Sequence, residues 1–329
     1  MSMEIQKNIP LAPLTSFKIG GAAKLFMEAG SEEELIEAVS YAKENNLPIF
    51  VLAGGSNILV SDEGFDGLVI KIKNQKSKIK ITDQNEKFFL ENVWAGDNLS
   101  SLVRFCAENS LAGLEWAAGI PGAVGGAVWG NAGAYGSEMK NVIASVRVLD
   151  MSGILEDMSE KNQNYNSKLK TISGDECEFS YRSSVFKHDK NLVILSCALN
   201  LQKGDKAEIE EKMKEVIRKR TEKIPKEPSP GSFFQNPVVT DPELLDRFKK
   251  DTGCESRDGK IPAGWIIDEA GLRGKRIGGT MVSEKHANFV INIGGATAQD
   301  VIMLTSFIKM RIRDEFGVQL KEEVQLIGF

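Results

Sequence analysis

Between Trp116 and Ser137 the chain runs for twenty-two positions without a charged residue, and seven of these are glycine (119, 122, 125, 126, 130, 133 and 136). A run of ~20 uncharged residues is long enough for a helix to cross a bilayer. This one cannot, because the glycines, with Pro121 and Asn131, break the helix and would leave backbone groups unpaired in lipid. In water the same run has another use. Glycine permits φ > 0 and close approach of main chain to a ligand, so IPGAVGGAV (120–128) reads as a turn at Pro121-Gly122, then Gly125-Gly126 at a helix start. There the helix dipole favours an anion.

A second glycine turn, AGGSN (53–57), follows a short apolar strand at Ile49–Leu52 and precedes ILV and LVIKI (68–72). Successive backbone N–H groups hold a phosphate well, and Ser56 and Asn57 add a hydroxyl and an amide. Either loop alone is as readily a plain tight turn. Two in one domain, with no neutralising charge inside either, favour a dinucleotide such as FAD. Strand–turn–strand is not the setting of a dinucleotide fingerprint, and GxGxxG is absent, so the doubly wound sheet is excluded.

Composition narrows the classes further. A length of 329 residues with 42% hydrophobic and 26% charged residues fits two or three domains with real cores. The net charge of -5 argues against a general nucleic-acid binder, which needs a basic face. Cys106, Cys177, Cys197 and Cys254 lack CxxC spacing and read as reduced thiols, and the N-terminal residues show no export signal, so a cytoplasmic location is expected. Histidine occurs only at His188 and His286, which excludes most catalytic triads and His-rich metal sites; no metal is expected. The first glycine loop carries Ser56 and no histidine, so a flavin held there is non-covalent.

Local patterns predict an α+β chain. Ser31-Glu32-Glu33-Glu34 opens a helix as a capping box, with Leu35, Val39 and Ala42 as its apolar stripe. Residues 78–96 alternate as two antiparallel strands about Gln84-Asn85-Glu86, and Asp97 caps a helix to about Asn109. Strands are expected at 143–150, 176–182 and 192–201, with a polar insertion at 159–175. A charged helix from Asp205 to Lys223 bridges to a second unit, with a domain boundary near 203–225. That unit carries a helical pattern at 261–271, strands near 280–283 and 287–293, a helix at 298–315 and a last strand at 318–327.

Three residues outside the loops have side chains suited to chemistry. Arg182, in FSYRSS, can polarise a carboxylate with its fork of donors, but spacing alone favours a surface residue on an edge strand. Ser232, in GSFFQNP, can donate a proton in a dry pocket, but serine on a turn is commonplace. Glu323 follows Glu322 at a strand entry, where acids are usually solvated. Spacing alone lifts none of the three above the ordinary.

The motifs LTSFKIGG (14–21), AGGSNILVSDEGFDGLVI, AGIPGAVGGAVWGNAGAYG, FSYRSSVFK, GSFFQNP, AGWIIDEAGLRGKRIGG and EVQLIG (323–328) occur in order over nearly the whole chain. In these the chain resembles the UDP-N-acetylenolpyruvoylglucosamine reductase family. The resemblance implies two FAD-binding subdomains of the vanillyl-alcohol-oxidase type, at 1–72 and 73–204, and an α+β substrate-binding domain at 205–329. It implies NADPH-dependent reduction, through FAD, of UDP-N-acetylglucosamine enolpyruvate to UDP-N-acetylmuramate in peptidoglycan precursor synthesis. The expected partners are the UDP-sugar and NADPH, with no nucleic acid, membrane or obligate protein partner.

The resemblance also assigns residues. Arg182 matches the arginine near the substrate carboxylate, Ser232 the proton donor and Glu323 the acid across the substrate from it. Ala53, Gly54, Gly55, Ser56 and Asn57 match the cofactor loop at the first turn. Gly119, Ile120, Pro121, Gly122, Gly125, Gly126, Asn131, Ala132 and Gly133 match the second. Tyr181, Lys223, Asn236 and His286 fall at substrate-side positions. Tyr41, Tyr135, Tyr165 and Tyr181 are the only tyrosines, so none follows Arg182 and the chain resembles the subclass lacking a tyrosine lid. The basic loop Arg273–Arg276 is the candidate to close the site instead, and Trp129 stands where a smaller apolar residue is expected. Two other readings are a different non-covalent flavin oxidoreductase on the same FAD fold and a nucleotide-binding regulator without turnover. GSFFQNP and EVQLIG weigh against the first, and the retained trio Arg182, Ser232 and Glu323 against the second.

Overall fold

A computed structural model gives the fold, describing residues 4–74, 79–84, 87–152, 168–256 and 258–329. The chain opens with β1 (Gln6–Pro10), β2 (Ala22–Ala29), α1 (Glu32–Glu44), β3 (Ile49–Leu52), β4 (Ile58–Val60), β5 (Phe65–Ile72), β6 (Lys80–Gln84) and β7 (Lys87–Trp94). There follow α2 (Leu99–Glu108), β8 (Leu111–Ala112), α3 (Val124–Trp129), β9 (Gly133–Ala134), β10 (Ser137–Glu138), β11 (Ile143–Asp150), β12 (Leu169–Ser173), α4 (Val185–His188) and β13 (Leu192–Lys203). The remainder is α5 (Lys206–Lys223), α6 (Pro242–Thr252), α7 (Ala263–Glu269), β14 (Arg276–Ile277), β15 (Thr280–Val282), β16 (Val290–Asn292), α8 (Ala298–Phe316) and β17 (Gln325–Ile327).

Two compact units result: Met1–Ile9, Ala23–Gly54 and Asp66–Arg220 form the first, and Pro10–Ala22, Gly55–Phe65 and Thr221–Phe329 the second. The sequence boundary at 204/205 differs from this division at Arg220/Thr221. The reason is that α5 is largely a first-unit helix, with Met213 and Val216 packing on that unit's core.

In the first unit a four-stranded sheet, in order β1-β2-β5-β3, packs on α1, whose Leu35, Val39 and Ala42 are buried with Leu68 and Ile70. Ser31 caps α1 by accepting the Glu34 N–H at 3.2 Å, a bond of a kind that contributes about 1 kcal/mol. A larger sheet, in order β12-β11-β13-β7-β6 with β8 also on β13, buries its apolar face against α2 and α3. In the second unit α7 and α8 pack with Phe233, Phe234 and the β15–β16 strands in one core.

Several expectations shift by a residue or change type. Asn98, not Asp97, caps α2, its Oδ1 accepting the Ser101 N–H at 3.0 Å; the Asp97 carboxylate turns back to the Trp94 N–H at 3.1 Å. The expected strand at 176–182 is a series of turns, held by local bonds such as Ser183 N–H to Ser180 C=O at 3.0 Å and by the distant Asn131 amide, which donates to the same carbonyl at 2.9 Å. The last strand shrinks to β17, which pairs parallel with β4. The insertion at 159–175 contributes β12 to the sheet edge, while 159–167 lie outside the described residues. Helix α6 was unforeseen although Asp241 caps it, Pro242 opens it and Gly253 closes it at φ 68. The glycine-rich run forms only the six-residue helix α3, and among the described residues no helix is long and apolar enough to cross a membrane.

Candidate active site

The two glycine loops meet backbone to backbone within the first unit. A Cβ on Gly54 would stand 2.5 Å from both the Gly122 Cα and the Ala123 nitrogen, so no side chain fits between the loops. The second loop is stitched to the 97–99 turn, with Leu99 N–H donating to Gly122 C=O at 3.1 Å and Val124 N–H to Asp97 C=O at 2.9 Å. Gly119 (φ 75) and Gly122 (φ 117) hold left-handed backbone that side chains resist. Gly125 lets α3 press on Ala95, whose carbonyl accepts its N–H at 2.8 Å, whereas a Cβ on Gly126 would meet nothing within 4 Å. Gly54, Gly119, Pro121 and Gly126 are exposed, leaving an open, uncharged backbone surface. That surface fits a phosphate-bearing dinucleotide, with Ala53 and Ile120 half-buried at its rim.

Asn131 and Arg182 form the other half of the first-unit site. Asn131 is fully buried, and its amide donates to Ser180 C=O at 2.9 Å and Glu138 at 3.0 Å while accepting the Lys140 N–H at 3.0 Å. Its side chain is therefore an organiser of the loop; Ala132 N–H returns to Ala127 C=O at 2.8 Å. Arg182 sits in a tight turn closed by reciprocal Ser180–Ser183 bonds, at φ 56, a strained conformation for a residue with a side chain. Its Nη2 donates to Gly133 C=O at 3.0 Å, and its guanidinium lies 5.3 Å from the Tyr181 ring centre. Arg182 is thus no edge-strand surface residue. Trp129 is packed under Lys187, whose Nζ is 4.7 Å from the ring centre, and its carbonyl accepts the buried Ser184 hydroxyl at 2.7 Å.

The second unit gathers the remaining residues. Gly55 (φ 63) accepts the Ser16 N–H at 2.9 Å, and the Ser56 carbonyl accepts the Ser16 hydroxyl at 3.3 Å. Asn57 Nδ2 donates to Glu323 C=O at 3.1 Å, and Gln325 N–H to Asn57 C=O at 3.0 Å, so the first loop and the Glu323 segment are tied together. Glu323 N–H donates in turn to Phe233 C=O at 2.8 Å, next to Ser232. Of the two adjacent acids, Glu322 is spent in an ion pair with Lys309 at 2.7 Å. Asn236 Oδ1 accepts the Ala263 N–H at 3.0 Å and so caps α7, which occupies one side of the amide expected to meet substrate. Arg273 bonds Asp268 and the Glu284 carbonyl, Lys275 covers the Phe307 ring at 4.7 Å, and Arg276 Nε reaches the Met281 sulfur at 3.1 Å. The expected closing loop is accordingly anchored at each of its cations.

His286 accepts the Asn288 N–H on Nδ1 at 3.2 Å, which leaves the neutral ring's proton on Nε2. Burial, then the positive charges of Arg273 and Lys223, lowers its pKa from the usual 6.5. The unfolded chain takes up a proton near pH 6.5 while the fold resists, so stability falls as pH drops below that value. Between about pH 7.5 and about pH 5.5 the urea midpoint should fall further for the native protein than for His286→Gln. Equal falls would show that the histidine is not perturbed.

Arg220, which sequence reasoning passed over, donates from Nε to the Gly119 carbonyl at 3.1 Å. Its only sequence signal is a position near the end of a charged helix. Burial pushes the thiols of Cys106, Cys177 and Cys197 up to about 12, so none is a nucleophile at neutral pH.

Known proteins match the chain in two segments. Residues 223–327 match the family model described as the C-terminal domain of UDP-N-acetylenolpyruvoylglucosamine reductase, and residues 23–159 match an FAD binding domain. The UDP-N-acetylenolpyruvoylglucosamine reductase of Caldanaerobacter subterraneus subsp. tengcongensis is 37% identical over 322 residues, covering 98% of this chain and 93% of the relative. That of Lachnoclostridium phytofermentans is 40% identical over 322 residues, covering 98% and 92%. The solved UDP-N-acetylenolpyruvylglucosamine reductase of Thermus caldophilus matches with a TM-score of 0.73 at 30% identity, over 99% of this chain and 100% of that one.

Proposed function

The chain belongs to the UDP-N-acetylenolpyruvoylglucosamine reductase family, and from that premise we propose how its residues divide the reaction. The protein is an FAD-dependent oxidoreductase that reduces UDP-N-acetylglucosamine enolpyruvate to UDP-N-acetylmuramate with NADPH. The observation that carries the cofactor reading is the contact of Gly54 with Gly122 and Ala123, which turns two uncharged loops into one backbone cradle. Bound FAD supplies the two-electron relay between NADPH and C3 of the enolpyruvyl group. Serine at position 56 offers no histidyl attachment, which supports a dissociable flavin.

Hydride addition at C3 leaves negative charge at C2 that spreads into the neighbouring carboxylate. Arg182 meets that carboxylate, an interaction that strengthens as charge develops and so lowers the barrier more than it tightens substrate binding. Ser232 gives its hydroxyl proton to C2, completing a net addition of hydride and proton, and water restores the hydroxyl. Serine is a weak acid, but the carbanion is a strong base and the transfer path is short. Glu323 lies across the substrate from Ser232. Lys223 and Tyr181 contact the UDP-sugar, and neutral His286 offers its Nε2–H as a donor. The reaction sits in cytoplasmic peptidoglycan precursor synthesis.

The test is anaerobic. Protein reduced with NADPH should lose its flavin colour and regain it when UDP-N-acetylglucosamine enolpyruvate is added. A flavin that stays bleached with that substrate, or protein that takes up no FAD, would refute the reading.

A further inference from the structure

We propose that Asn288 is a positioning residue that holds Ser232 in place for proton transfer. The inference rests on the reading of Ser232 as proton donor. Asn288 is 3% exposed and lies between Ala287 and Phe289, both buried, where an apolar side chain would pack at no desolvation cost. Instead its amide grips both backbone groups of Phe234. Oδ1 accepts the Phe234 N–H at 2.9 Å, and Nδ2 donates to the Phe234 carbonyl at 2.8 Å. The Asn288 carbonyl also accepts the Phe233 N–H at 2.7 Å.

A side chain takes over here because backbone pairing on this flank stops short of Phe234. The 286–289 segment turns, closed by Phe289 N–H to His286 C=O at 2.9 Å, so its backbone reaches only the Ser232–Phe289 bridge and the Phe233 N–H and leaves the two backbone groups of Phe234 to a side chain. The amide stands in for the missing pairing. On the other flank, Glu323 N–H donates to Phe233 C=O at 2.8 Å and Gln235 N–H to Lys321 C=O at 2.9 Å. Residues 232–235 are therefore clamped from two sides: Ser232 bridges Phe289, and the Asn288 amide extends that hold to Phe234, so that together they set the height of Ser232 relative to Glu323.

In the holoenzyme, Asn288→Ala should be reduced by NADPH within about twofold of the native rate, with flavin retained. Reoxidation by the enolpyruvyl substrate should slow by about 10²-fold, the scale expected when a catalytic group shifts by ~1 Å, and its solvent deuterium isotope effect should rise. The double variant Ser232→Ala/Asn288→Ala should reoxidise at the rate of Ser232→Ala alone, because Asn288 acts only through Ser232. Losses that multiply in the double variant would overturn the proposal while leaving Ser232 as donor. A parallel loss in both half-reactions of Asn288→Ala, together with flavin content, would also overturn it, since that is ordinary structural damage. Native reoxidation by Ser232→Ala would instead remove the reading on which the proposal rests. Should Asn288→Ala not fold, Asn288→Asp keeps the size and the acceptor for Phe234 N–H. A smaller loss confined to reoxidation is then expected, and a native rate would overturn the proposal.

Discussion

Ser232→Ala should accept hydride from NADPH at close to the native rate and reoxidise with the enolpyruvyl substrate roughly 10²- to 10⁴-fold more slowly. The asymmetry follows from what the hydroxyl is for. On the proposed mechanism it has no part in flavin reduction, which consumes no proton at C2, and becomes the proton source once hydride has reached C3. The substitution is structurally mild. Ser232 is half-buried and joined to Phe289 through a backbone bridge that alanine can keep, and the neighbouring Phe233 and Phe234 carry the core packing. Rapid-mixing measurement of the two half-reactions would separate the outcomes. Equal slowing of both would point to damaged flavin binding, and no slowing of reoxidation would assign the proton to another group, with Glu323 the first to examine.

What the sequence made legible was whatever local chemistry decides. The uncharged glycine run could not be one long helix, and Ser31 marks the start of α1 because a hydroxyl there satisfies a free N–H. The strand expected at 143–150 is β11, Ile143–Asp150, whose Val146 and Val148 enter one core cluster and whose Leu149 enters another. What stayed hidden depends on residues far apart in sequence. Arg182 looked like the end of a strand, because the period-2 pattern of 176–182 cannot reveal that Asn131 draws Ser180 into a turn from 49 positions away. Nor could sequence say which of Glu322 and Glu323 pairs with Lys309. The partner is Glu322, 13 positions from Lys309. Arg220 and Asn288 escaped for the same reason, as their partners Gly119 and Phe234 are 101 and 54 positions distant.

The cradle can be broken in two ways that should look different. Gly54→Val should abolish flavin retention and also destabilise the flavin-free protein, by about 1–3 kcal/mol, because the new side chain enters space already filled by Gly122 and Ala123. The backbone at Gly54 does not have positive φ, so the cost arises from the collision and not from conformational strain. Gly126→Leu should abolish flavin retention without that loss. Gly126 is exposed, lies within α3, and has nothing within 4 Å of where a Cβ would stand. Replacing a helical glycine stabilises a helix by ~0.5–1 kcal/mol, so flavin-free Gly126→Leu should melt at or above the native flavin-free protein. Flavin absorbance per protein chain and melting temperatures of both forms give the comparison. Full flavin in Gly126→Leu would remove α3 from the cofactor surface. Full flavin and native stability in Gly54→Val would mean that the two loops are not pressed together, and the cradle would lose its physical basis.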